Sequence, residues 1–119
     1  MSNEPLDKYF GISVSEWINR IPNELEVDAV SLAQIVGFGR DGYGLSGSCL
    51  NKFVYDAIMA LLKKGAKPVR ALNKDKWVIQ DYYGGLNADI AKAVVDEWLS
   101  CEKNMENNYL WDIWFSIHF

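Results

Sequence analysis

The sequence predicts an α+β fold in a single domain, residues 1–119, with helices packed on one face of a small, mainly antiparallel sheet. Three observations predict this class. A chain of 119 residues, half of them apolar, has the length of one domain with one core. Apolar residues recur at helical spacing in three segments, and short apolar or alternating runs between them predict strands. The connections are short, as is typical of helices packed on an antiparallel sheet.

The first helix begins at Ser13 or Ser15 in SVSEWINR. It ends before Pro22, because the residue that precedes a proline avoids helical geometry. The next apolar run, AVSLAQIV at 29–36, is bounded by glycine and is read as a strand, with a helix as the open alternative. The predicted apolar face of the first helix consists of Val14, Trp17, Ile18 and Ile21.

The second helix follows Ser48 and stops at Gly65, after a pair of lysines that suit the negative end of a helix. The segments 67–72 and 76–80 then predict a hairpin that turns across 73–75. The apolar residues of this helix fall at helical spacing and predict its buried face. They are Leu50, Phe53, Val54, Ala57, Ile58, Leu61 and Leu62.

The third helix is capped by Asn87 and runs through ADIAKAVVDEWLSCE, with Asp89 near its positive end. Its apolar stripe is Ile90, Val94, Trp98 and Leu99. The last segment, LWDIWFSIHF at 110–119, alternates and predicts a strand. One face of that strand is predicted to join the core and the other to meet solvent or a neighbour. The core face is Ile113, Phe115, Ile117 and Phe119; the open face is Asp112, Trp114, Ser116 and His118.

The glycine-rich segment 37–47, GFGRDGYGLSG, fits the pattern G-x-G-x-x-G twice. We interpret it as a turn between a strand and a helix that also presents Arg40, Asp41 and Tyr43 on the surface. The alternative is a nucleotide or anion site at the start of the next helix. A dinucleotide site needs an acid some 20 residues further on, and a P-loop needs G-K-[ST], and the sequence has neither. We therefore expect no cofactor.

Residues for catalysis or metal binding are few. His118 is the one histidine, and Cys49 and Cys101 are far apart and form no C-x-x-C pair. A Cys49 nucleophile with His118 as its base has no support from spacing. The acids show no calcium-loop pattern, so we expect no metal and no enzymatic activity.

Charge is distributed unevenly along the chain, whose net charge is −4. Residues 1–30 carry six acids against two bases, and residues 81–119 carry seven acids against two bases. Residues 31–80 carry eight bases against three acids. If the two ends share a face, that face attracts a basic partner and repels nucleic acid. The alternative is a solvated surface whose charges only keep the protein soluble. The start of the sequence has no export signal, and no apolar run is long enough for a bilayer, so we expect a cytoplasmic protein.

Aromatic residues stand beside acids in two places. QDYYGG sets Asp81, Tyr82 and Tyr83 beside glycines, and NNYLWDIWF brings Asp112 and Trp114 together. Tyrosine and tryptophan dominate binding hot spots, and carboxylates around them suit a basic partner. The predicted partner-binding residues are therefore Arg40, Asp41, Tyr43, Asp81, Tyr82, Tyr83, Asp112 and Trp114.

The runs DAVSLAQIVGFGRDGYGLSG and FVYDAIMALLKKGAKPV, with the tryptophan-rich end LWDIWF, resemble the layout of small acidic bacterial immunity proteins of toxin–immunity systems. Contact-dependent growth inhibition is one setting for such proteins. The resemblance implies a non-catalytic protein that neutralises a toxin domain, in many cases a basic nuclease, by covering its active site or substrate surface. Besides the nucleotide site, the other alternative is a structural subunit that self-associates through the C-terminal strand.

Overall fold

The computed structural model describes residues 6–8, 10–73, 76–80, 83–103 and 113–118. These residues form both helices and strands, and the sheet that the strands form is antiparallel throughout, so the predicted α+β class is confirmed. In chain order the elements are α1 (Val14–Arg20), a 3₁₀-helix (Ile21–Glu26), β1 (Val30–Ser31), α2 (Leu32–Gly37), a π-helical turn (Phe38–Gly42), α3 (Gly47–Lys63), β2 (Lys67–Asn73), β3 (Lys76–Ile79), α4 (Asn87–Lys103) and β4 (Trp114–Ser116).

The sheet has the strand order β1-β4-β2-β3. β2 and β3 form the hairpin that the sequence predicts. The C-terminal strand β4 lies inside the sheet, where Phe115 is opposite Val30 of β1 on one side and Pro68 of β2 on the other. The last strand of the chain therefore joins the hairpin to the N-terminal half.

The C-terminal strand is shorter than the alternating pattern predicts. It ends at Ser116, whose Oγ accepts a hydrogen bond from the His118 N–H at 3.0 Å and bends the chain. Ile113 and Phe115 are fully buried and Trp114 is half-buried, as their alternation predicts, whereas Ser116 is buried rather than exposed. Residues 110–112 and 119 lie outside the described residues.

The run 29–36 is a strand only at Val30 and Ser31 and becomes helical from Leu32. The cause is a capping box: the Ser31 Oγ accepts from the Gln34 N–H at 3.0 Å, and the Gln34 Oε1 accepts from the Ser31 N–H at 2.8 Å. These bonds satisfy donors at the helix start and end the strand. The strand interpretation was wrong beyond Ser31, and the helix alternative holds for the rest.

The two long helices agree with the prediction except at their starts: α4 already includes Asn87, the residue predicted to cap it. All seven predicted apolar residues of α3 are buried, although the helix begins at Gly47, earlier than predicted. It ends where Gly65 takes φ +105° and donates its N–H to the Leu62 carbonyl at 3.0 Å. α3 packs against α4, whose Val94 and Trp98 are buried in the same core.

The first helix, α1, begins after Ser13, whose Oγ accepts a hydrogen bond from the Glu16 N–H at 3.2 Å. It ends at Arg20, and the chain continues as a 3₁₀-helix with Pro22 in its first turn. Proline is tolerated there because the first turn of a helix lacks partners for its N–H groups. The predicted apolar side chains of α1 are half-buried and rest on the edge of the core: Val14, Trp17, Ile18 and Ile21.

Candidate functional site

A groove of about 740 Å³ opens between α1 with its 3₁₀-helix, β1 with α2, and β4. Much of its lining is apolar, and two tryptophans, Trp17 and Trp114, contribute to it. Three carboxylate side chains also line it: Glu24, Asp28 and Asp41. No lysine, arginine or histidine of the described chain belongs to this lining. The groove is therefore both acidic and aromatic.

Stacked aromatic rings form one wall of the groove. The Trp17 ring lies 4.9 Å from the Phe38 ring, centroid to centroid, with 13° between their planes. It also lies 5.0 Å from Phe53, which belongs to the buried face of α3. The hydrogen bond to Ser13 fixes the start of α1, and the contacts with Phe38 and Phe53 fix the position of the Trp17 ring. The ring therefore presents a preformed surface to the groove.

The opposite wall depends on the Ser31–Gln34 capping box. It turns the chain from β1 into α2, so that Ala33, Gln34 and Gly37 line the groove one after another along the helix. Trp114 reaches the same space because β4 pairs with β1, with Ser31 opposite Trp114. The two ends of the chain thus meet at the groove, although Trp114 is the one described residue of the C-terminal end that lines it.

The groove carboxylates differ from most other described acids in their partners, although Asp89, outside the groove, also makes no ion pair. Glu24 and Asp41 make no ion pair or side-chain hydrogen bond among the described residues, and Asp28 accepts one bond, from the Ala29 N–H at 2.7 Å. Six other described acids lie 2.5–3.8 Å from a lysine or arginine nitrogen. They are Glu16, Glu26, Asp56, Asp96, Glu97 and Glu102. Uncompensated negative charge is therefore left in the groove.

Of the predicted partner-binding residues, Asp41 and Trp114 are brought together in this groove. Arg40 is next to Asp41 in the chain but is engaged elsewhere. Its guanidinium donates to both carboxylate oxygens of Glu102, at 2.7 and 2.8 Å, and lies 5.9 Å from the centre of the Trp98 ring. Arg40 therefore links the π-helical turn to α4 and leaves the charge of Asp41 unbalanced.

Two predicted contacts are not on the surface. Tyr43 is 8% exposed, and its hydroxyl donates to the Ile12 carbonyl at 2.8 Å or the Ser13 carbonyl at 3.0 Å. Tyr83 is 5% exposed. The expectation that these tyrosines are exposed at the surface is therefore wrong, because both rings are buried in the core. Asp81, Tyr82 and Asp112 lie outside the described residues.

The glycine-rich segment bends the chain between two helices, α2 and α3, and residues 37–42 are themselves helical, so the predicted turn from a strand into a helix was wrong. The bend depends on close packing and on backbone geometry. A Cβ at Gly39 would lie 2.8 Å from side-chain atoms of Leu50 and Phe53, and a Cβ at Gly42 would lie 3.2 Å from the Phe38 ring. Gly44 and Gly47 take φ of +65° and +57°, in the left-handed region. These requirements account for four of the five glycines.

Groups able to act in catalysis are scattered. Cys49 and His118 are exposed, and the described residues contain no group of three or more His, Cys, Asp or Glu side chains placed to hold a metal ion. The raised pKa values of Lys52 and Lys92 have a structural cause, a hydrogen bond and ion pair with Asp56 and Asp96 respectively. Both pairs are exposed contacts within a helix.

Trp17, Glu24 and Asp28 line the groove but are not among the predicted partner-binding residues. The sequence pattern places Trp17 on the apolar face of the first helix, and Glu24 and Asp28 in the acidic N-terminal end. Glu24 and Asp28 are four residues apart without a base between them, but this spacing does not distinguish them from Glu26, which is paired with Lys64. Among the described residues, no helix is both long and apolar enough to cross a membrane.

No family model, curated protein or solved structure is significantly similar to this chain.

Proposed function

We propose that this protein is a non-catalytic immunity protein that binds and neutralises a toxin domain, and that the acidic groove is its docking site. The observation that carries the proposal is the uncompensated charge of Glu24, Asp28 and Asp41 beside two tryptophans. Such a surface suits a basic partner that brings the missing positive charges. The layout of the sequence, which resembles that of small acidic immunity proteins, supports a toxin as that partner.

Neutralisation would be stoichiometric. An interface of ordinary size buries about 800 Å² on each partner, which extends well beyond one groove. The groove would lie near the centre of this area, because desolvated aromatic side chains contribute most of the binding energy. The carboxylates would accelerate the encounter and select a basic surface. A toxin that uses basic residues to hold its substrate would then lose access to that substrate.

The first experiment is capture of the partner. The tagged protein and its Asp28→Lys/Asp41→Lys variant are incubated with lysate of the source bacterium and eluted in rising salt, and the bound proteins are identified by mass spectrometry. We expect the parent to retain a basic domain in stoichiometric amount and the variant to lose it. Removing a central contact costs about 2 kcal/mol or more, which is roughly a thirtyfold loss of affinity.

The second experiment tests neutralisation itself. The captured domain is expressed alone and together with the protein, and growth is measured. Arrest by the domain alone and recovery on co-expression is the expected result. A captured domain that leaves growth unchanged would contradict the immunity function, whereas a variant that protects as well as the parent would contradict only the groove as its docking site.

A further inference from the structure

The groove continues past Trp17 into a smaller depression of about 180 Å³. Trp17, Ile21, Glu24 and Phe38 line both spaces, so the two form one continuous surface. We call the larger space, which also holds Asp28, Asp41 and Trp114, the acidic lobe. We call the smaller space, which also holds Phe10, Ile12 and Arg20, the apolar lobe.

The acidic lobe has the chemistry of a site for a cation. Asp28 and Asp41 supply negative charge that no described base neutralises. Trp114 supplies an indole, the ring to which a guanidinium or ammonium group binds best. Both carboxylates are exposed, so a partner that covers them and excludes water would strengthen their attraction for its positive charge.

The apolar lobe has the opposite preference. Its one charged residue besides the shared Glu24 is Arg20, which repels a cation and is itself paired with Glu16 one turn earlier in α1. Phe10 borders this lobe with 74% of its surface exposed. A large apolar side chain of a partner would cover Phe10 and the rings of Trp17 and Phe38 at once.

The loop that carries Phe10 is held in place before any partner arrives. The buried Asp7 carboxylate accepts the N–H groups of Phe10 and Ile12, both at 2.7 Å. The Lys8 N–H donates to the Gly42 carbonyl at 3.0 Å. A loop whose backbone is held in this way has less conformational entropy to lose on binding.

We infer that the groove binds a linear segment of the partner with a lysine or arginine at one end and a large apolar side chain at the other. The cation enters the acidic lobe beside Trp114, and the apolar side chain enters the apolar lobe against Phe10. This inference deepens the proposed function and rests on it, because it names the part of the partner that the groove takes.

The probe for this inference is a phage-displayed library of random linear peptides, selected on the intact protein. We expect the selected peptides to share one lysine or arginine and one large apolar residue at a constant separation. The best of them, made as a free peptide, should shift the indole N–H resonances of Trp17 and Trp114 in NMR spectra. Selection without a shared sequence, or of acidic peptides, would overturn the inference.

Two variants, each with a control outside the groove, test the contributions of the two lobes to binding separately. The Asp28→Asn/Asp41→Asn variant is expected to bind the selected peptide roughly tenfold or more weakly than the parent. Asp89→Asn, which removes an exposed acid outside the groove, is expected to leave the affinity unchanged. Phe10→Ser is expected to lower the affinity for the peptide to a similar extent. Its control is Leu86→Ser, which removes another exposed apolar side chain and should leave the affinity unchanged. Equal affinity of the groove variants and their controls would overturn the inference.

The outcomes distinguish this inference from the proposed function. If the peptides bind as expected but the captured domain is harmless, the segment preference stands and the toxin assignment fails. If the protein neutralises a toxin and the groove variants protect equally well, the groove inference fails and the immunity function stands. A molecular mass in solution that rises with protein concentration would indicate self-association. If Phe10→Ser abolished that rise, a second copy of the chain would occupy the groove, and this result would also overturn the inference.

Discussion

Gly39 shows how tightly single residues determine the turn that leads to the groove. It lies in the π-helical turn, and an added Cβ would sit 2.8 Å from both the Leu50 Cδ1 and the Phe53 Cδ1. Neither neighbour has room to retreat, because Leu50 is 3% and Phe53 2% exposed. Only glycine lets this turn approach α3 so closely.

Replacing Gly39 by alanine is therefore expected to destabilise the protein by about 1–3 kcal/mol, the usual cost of overpacking a core. Gly37→Ala is the matched control, since a Cβ there meets no atom within 4 Å and the residue is helical. That substitution is expected to be neutral or to stabilise by about 0.5–1 kcal/mol. Urea unfolding of both variants measures the difference. Equal stabilities would show that the turn can move away from α3.

Asp7 has a comparable role for the loop that carries Phe10. Its carboxylate is buried and accepts two backbone N–H groups. Asp7→Ala leaves both donors without this acceptor, so we expect a loss of about 3 kcal/mol in the free energy of unfolding. Asp7→Asn keeps one acceptor oxygen and should lose less. Amide exchange at Phe10 and Ile12 should accelerate in the same order, and unchanged exchange in the alanine variant would contradict this account.

At the scale of elements, the sequence predicts whatever depends on local periodicity. The apolar spacing of α3 and α4 is repeated over four turns or more, so the burial of Leu50 and Trp98 follows from position alone. The run 29–36 is too short for periodicity to decide. There the Ser31–Gln34 capping box determines where strand becomes helix, and that S-x-x-Q signal was present in the sequence.

The C-terminal strand β4 should be the element whose loss is most damaging, because it pairs with β1 on one side and β2 on the other. Phe115 at its centre is fully buried. Phe115→Ala is expected to cost about 3–5 kcal/mol, a large part of the stability of a small domain. His118→Ala, two residues beyond the strand, removes an exposed side chain and should stay within about 0.5 kcal/mol of the parent. Thermal unfolding followed by circular dichroism measures both, and similar melting temperatures would argue against a central role for β4.

At the scale of the whole molecule, the sequence predicts the acidic and aromatic character of the site better than its position. Asp41 and Trp114 were predicted and do line the groove. Tyr43 was predicted from its place in a glycine-rich loop, but its ring is buried, because a loop sequence does not reveal which way a side chain turns. Glu24 and Asp28 become significant only once the ion pairs of the other acids are known. That information belongs to tertiary structure.

The position of the charges, rather than their sum, should govern association with a basic partner. Asp28→Asn/Asp41→Asn and Asp89→Asn/Asp96→Asn change the net charge equally, but only the first pair lies in the groove. Apolar walls focus the field of the groove carboxylates, so we expect the association rate constant at low salt to fall about tenfold for the first variant and little for the second. Stopped-flow measurements with the captured domain test this. The difference should shrink as salt screens the exposed charges. Equal decreases in the two variants would mean that net charge alone attracts the partner.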